Sequence, residues 1–211
     1  MRKFLYILAA ILCYITLSSK SCSEGKQNDD TSQEEKLIHE KADIRNEFES
    51  EFISEKSVHA FESKAEQKLT DLSDYLNILC DSSVDKSFKE QSKLMAINLF
   101  VSDTTTICHC LTNDTDLRKE SIRNFLKAAK FTDSKKITLD SIRVTEQLHF
   151  TSEHRYKGLL AFSRRIKNIS AKDTVWSVPA SLQAEFFVSK IHKIFGKDTL
   201  QIWNLSLGNI E

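Results

Sequence analysis

The feature that most restricts the fold is the last third of the chain, residues 137–211, where apolar residues recur at every second position in run after run. Period two is the mark of a strand with one buried face. Ile137, Leu139, Ile142, Val144, Leu148 and Phe150 read as one long strand. Its alternation changes phase near Asp140 and Ser141, where an extra residue would form a bulge. Residues 151–155 turn the chain, and Tyr156, Gly158, Leu160 and Phe162 alternate with Lys157, Leu159, Ala161 and Ser163 in a second strand. After a polar turn over 167–173, Val175 and Trp176 open a third segment, which Pro179 bends or confines to an edge. Leu182, Ala184, Phe186 and Val188 alternate beyond it; Gly196, Lys197 and Asp198 make a hairpin turn; Leu200, Ile202, Trp203, Leu205 and Leu207 complete the last strand. Four long antiparallel strands are expected.

The residues before this block read as helices. Val58, Phe61, Ala65, Leu69, Leu72, Leu76 and Leu79 follow at steps of three and four, an apolar stripe suited to packing on a sheet, with Ser57 as the expected cap. A charged helix over 36–56 carries Leu37, Ile44, Phe48 and Phe52 on one face, and a third helix over 85–100 carries Phe88, Met95, Ile97 and Leu99. Residues 101–111 (VSDTTTICHCL) are β-branched and read as one strand or two short ones. Asp116 is the expected cap of a helix over 117–130. The fold class is therefore α+β: N-terminal helices packed on a mostly antiparallel sheet.

The N-terminus reads as a leader. Arg2 and Lys3 precede an uncharged apolar run of 14 residues, 4–17, which is too short to span a bilayer and of the length of a signal-peptide core. Residues 1–21 are expected to be a signal peptide, 22–35 a disordered tether (polar, acidic, without large apolar residues), and 36–211 a single domain made of the charged helix 36–56 and a core over 57–211. Cys22, a few residues after the apolar run and preceded by Ser21, resembles the lipobox of bacterial lipoproteins. That resemblance implies an acylated Cys22 anchored in the membrane. The acidic stretch after it resembles the surface-export signal of lipoproteins of the Bacteroides group, so the outer membrane or cell surface is the expected location. Cleavage after Ser19-Lys20-Ser21 would instead release a soluble periplasmic protein.

The charge pattern excludes several classes. The chain has 30 basic and 30 acidic residues; loss of 1–21 removes Arg2, Lys3 and Lys20, leaving a mature net charge of −3. No basic stripe stands out, so no nucleic-acid partner is expected, nor electrostatic attraction to anionic membrane. With four Gly and one Pro and no phosphate-binding glycine motif, no cofactor is expected.

The order of elements (helices, a short strand pair, another helix, four long strands) is similar to that of the nuclear transport factor two-like, or cone, superfamily. Two stretches resemble its exported bacterial members: Arg155-Tyr156-Lys157-Gly158 opening a strand, and Trp203 to Ile210 (WNLSLGNI) as the final strand. The resemblance covers 57–211. It implies a strongly bent sheet wrapped around the long helix, a pocket at the open end, and in many members a homodimer through the sheet. It implies no particular activity.

Candidate chemistry is sparse. Cys108-His109-Cys110 lacks the further ligands of a metal site, and on a strand His109 would face away from both cysteines, so no metal is expected. A disulfide from Cys80 to Cys108 or Cys110 is one reading; three reduced, buried cysteines is the other. Tyr75, Asp103, His109 and His149 are the residues available for acid–base work in a pocket, each with a plain alternative as a surface or core group. Trp176, Trp203, Phe186 and Phe187 would line a pocket or a dimer face, or simply fill the core. No nucleophile–base motif is present. Three readings follow: a non-enzymatic envelope lipoprotein binding a small apolar ligand or an envelope protein, an isomerase or dehydratase using a pocket Asp or His, and a structural dimerisation module.

Overall fold

A computed structural model of the chain describes residues 36–39, 50–113, 116–128, 131, 135–151, 153–169, 174–196 and 198–211. Two units are distinguished, 1–47 and 48–211. Within the first, 36–39 are helical, with Leu37 and Ile38 exposed; Cys22, Ile44 and the leader lie outside the described residues.

The second unit is α+β, a helical region against an open, mixed sheet of seven strands. Its elements are α1 (Glu55–Cys80), α2 (Lys86–Ile97), β1 (Thr106–Cys108), a 3-10 turn (His109–Leu111), β2 (Lys119–Ser121), α3 (Ile122–Ala128), β3 (Lys135–Phe150), β4 (Tyr156–Ile169), β5 (Thr174–Trp176), β6 (Ala180–Phe195) and β7 (Asp198–Ile210). The sheet order is β2-β1-β7-β6-β4-β3, with β5 joined to β4 beyond the end of β6. All pairings between strands are antiparallel except that of β1 with β7. No helix among the described residues is long and apolar enough to cross a membrane.

The stripe on α1 does what its spacing requires. Ala65, Leu69, Leu72 and Leu76 are wholly buried, and Val58 and Phe61 pack against the same core. Each leucine so buried contributes about 2 kcal/mol over leaving it in water. Opposite them stand Leu160, Ala184, Phe186, Val188, Leu205 and Leu207, the alternating positions of β4, β6 and β7.

Polar residues of α1 complete the sheet. β3 is the last strand, so one of its edges has no strand neighbour and its backbone groups need other partners. Asn77 donates to the carbonyl of Ile137 and accepts from its amide, both at 2.8 Å, and Ser73 donates to the same carbonyl at 3.0 Å. Glu62, largely buried, accepts from the amide of Leu148 at 3.2 Å. Leu148 sits where the β3–β4 register slips between Glu146 and His149. Another slip falls between Asp140 and Arg143, where Ser141 has φ 53°, the place at which the alternation of the sequence breaks.

Four local expectations are corrected. The cap of α1 is Ser54, which accepts from the Ser57 amide at 3.2 Å, so the helix begins before Ser57. Phe52 lies before that helix, exposed and edge-on to Phe150. α2 buries Ser92 and Ala96 while Phe88 and Met95 face solvent; small residues let this helix approach α1 closely. Asp116 caps nothing: its carboxylate binds Arg118, and 119–121 is a strand before the short α3 begins at Ile122.

Candidate functional site

Side chains on β4, β6 and β7 that alternate with the core positions point to the opposite face of the sheet from α1. There Lys157 stands opposite Phe187 across β4 and β6, and Glu185 falls at the bulge where β6 slips against β7. Gly208 permits a close approach at this bulge: a Cβ on it would lie 2.5 Å from the Phe187 ring and 2.8 Å from Cβ of Glu185. Residues of the loop 101–105 line one part of the space beside them, and Thr151, Glu153 and Arg155 another. Together they enclose a cleft of about 500 Å3.

The floor is the buried ring of Phe187, roofed by the Arg155 guanidinium, whose carbon lies 4.1 Å from the ring centroid. Lys157 donates to Glu185 Oε1 at 2.7 Å, and Asn209 Nδ2 donates to the other oxygen at 3.0 Å. The side-chain Oδ1 of Asn209 in turn accepts from the Thr106 amide at 3.0 Å, tying the site to β1. Arg155 pairs with Glu153 at 2.5 Å. Ser102, Thr104, Thr105 and Thr151 supply hydroxyls. Two cations and two carboxylates thus line the cleft and compensate each other, leaving many donors and acceptors and no net formal charge.

Of the residues singled out from the sequence, Phe187 lines this cleft and the others do not. Asp103 is ion-paired with Arg123. His109 is buried edge-on to Phe125, its Nδ1 3.7 Å from Asp116 and its Nε2 3.4 Å from Glu120. Tyr75 and Trp203 pack against the core, Trp203 edge-on to Tyr156; Phe186 is wholly buried in that core. Trp176 is exposed on β5, and His149 is an exposed neighbour of Glu146. The pocket implied at the open end around α1 is therefore not the cleft described here, which opens on the other face.

Asp116 is the most perturbed acid of this region. The two hydrogen bonds from the Arg118 guanidinium hold its carboxyl down to about 2. The disulfide joins Cys108 to Cys110, with Cα atoms 5.1 Å apart, and Cys80 is buried outside it. Neither sequence reading, a link from Cys80 or three reduced cysteines, includes this pairing: β1 ends at Cys108 and the 3-10 turn folds Cys110 back towards it. Among the described residues no cluster of three or more His, Cys, Asp or Glu side chains could hold a metal ion.

Sequence reasoning missed Arg155, Lys157, Glu185, Gly208 and Asn209. For four of them the sequence held a pointer: Arg155 and Lys157 lie in the strand opening 155–158, and Gly208 and Asn209 in the final strand 203–210, the two stretches on which the expected fold was argued; Glu185 lies in neither. No protein-family model, curated protein or solved structure matches the chain.

Proposed function

We propose that the chain is an exported protein of the bacterial cell envelope, lipid-anchored through Cys22, whose α+β domain binds a small neutral polar ligand without catalysis. The observation that carries the reading is the internal compensation of the cleft. Lys157 is matched by Glu185 and Arg155 by Glu153, so a ligand with net charge would leave one partner of a pair unanswered. The walls are mostly hydroxyls and charged groups, so an apolar ligand would strand their hydrogen bonds. A polyhydroxylated molecule fits both constraints, because each hydroxyl donates to a carboxylate and accepts from a cation or amide. The volume suits a mono- or disaccharide in scale.

The cone superfamily supplies the proposed frame, with α1 enclosed by a strongly bent sheet. What supports it is the element order and the way α1 finishes the edge of β3. Saturation-transfer NMR against a panel of neutral mono- and disaccharides tests the ligand class. Binding that disappears in Glu185→Ala is expected, whereas binding confined to an apolar dye would overturn the assignment. Mass spectrometry of the mature N-terminus tests the anchor; an unmodified Cys22 amine and thiol would remove it.

A further inference from the structure

The end of the sheet remote from the cleft carries cations around an exposed tryptophan. Arg164 and Ile166 of β4 are buried on the core side, so Arg165, Lys167 and Ile169 between and beyond them share the opposite face. Lys136 of β3 and Trp176 of β5 both stand directly across from Lys167. Two lysines directly opposed on one face repel each other. Arg165 lies 5.4 Å and Lys167 5.7 Å from the centre of the Trp176 ring, and Asp140 binds Arg165. Even so, Trp176 remains 47% exposed and Ile169 43%. Among the described residues the fold has collected onto one small face an indole, an aliphatic side chain and three cations facing one acid.

The exposed indole and Ile169 are costly in water and the opposed lysines repel each other, and one partner relieves both. Phosphate headgroups neutralise the opposed lysines, and the indole rests at the headgroup level, the depth at which tryptophan is enriched in membrane proteins. The mildly acidic mature chain does not oppose this, because at physiological salt the relevant field is set by charges within about 8 Å. We propose that this face, built on Lys136, Lys167, Arg165, Ile169 and Trp176, docks on the surface of a bilayer containing anionic phospholipid, independently of any lipid on Cys22.

The test reads Trp176 itself, since the apolar run 4–17 could partition into lipid on its own. In the full chain carrying Trp203→Phe, Trp176 is the only indole. Its fluorescence is followed against vesicles of brominated phosphatidylcholine with and without about one third phosphatidylglycerol, with circular dichroism confirming that each variant folds. Quenching and a blue shift on the anionic vesicles are expected, with apparent affinity falling roughly fivefold for each cation removed in Lys136→Gln and Lys167→Gln, and falling again in high salt. Quenching that is equal on neutral vesicles, or unchanged by both substitutions, would overturn the proposal. So would an unquenched Trp176 whose emission responds instead to polyglutamate, an acidic protein partner, or to protein concentration, a second copy of the chain.

Discussion

The carboxamide of Asn77 grips both backbone groups of Ile137, donating to its carbonyl and accepting from its amide at 2.8 Å each. It thereby stands in for the strand that β3 lacks on that side. Ser73 shares only the carbonyl, and the asymmetry makes a prediction. Asn77→Ala orphans the Ile137 amide and is expected to lower stability by about 1–3 kcal/mol, while Ser73→Ala leaves the carbonyl still served and costs about 1 kcal/mol or less. Urea denaturation of the two variants measures the difference; equal midpoints would contradict it.

Gly208 is required by space and not by backbone conformation. In Gly208→Ala the new methyl must displace the Phe187 ring and the stem of Glu185, at a cost of about 1–3 kcal/mol. Thermal unfolding reports the loss, and because both displaced residues line the cleft, ligand binding should weaken in the same variant.

The Cys108–Cys110 bridge closes a very short loop, so its removal frees little chain entropy. Cys108→Ala/Cys110→Ala is expected to cost only about 1–2 kcal/mol. Peptide mapping without reduction should recover the peptide bearing Cys108 and Cys110 unalkylated and lighter by two hydrogens than its reduced form, with Cys80 alkylated only after unfolding, since it is buried.

Asp116 gives the region around His109 an acid-sensitive contact. Its carboxyl is held down to about 2 in the fold by Arg118, against an ordinary 3.8. A depressed carboxyl stabilises the fold at pH above its unfolded value, and that contribution disappears as pH falls from about 4 towards 2. Carbon-detected NMR titration should place the Asp116 midpoint near the lower value, and in Arg118→Ala the midpoint should rise. An unchanged midpoint would show that the guanidinium is not the cause.

Much of the architecture was legible because burial imposes a period. Leu69, Leu72 and Leu76 announced α1, and Phe186 and Val188 announced the core face of β6, since a one-residue slip would turn each of them into water. The break at Asp140 and Ser141 was visible for the same reason. Short elements were not. Nothing in 101–121 fills two turns of helix or a full strand, so contacts with β7, such as Asn209 with Thr106, decide its conformation over local propensity. Phe88 misled because α2 packs through Ser92 and Ala96, and close approach favoured small residues over large ones. The cleft was the least legible: Lys157 and Glu185 lie 28 residues apart, and only the strand register makes them partners.

That α1 finishes β3 has a bearing on how the chain comes to be folded. The contacts of Ser73, Asn77 and Glu62 with that strand span 64, 60 and 86 residues, and α1 is synthesised first. Until β3 follows, the helix carries an apolar stripe and an unengaged carboxamide with nothing to hold, and contacts of such range form slowly. An immature chain therefore passes through an interval in which α1 is unsheltered. If synthesis stops before residue 137, that interval never ends, so truncated products should be the ones that aggregate or are degraded.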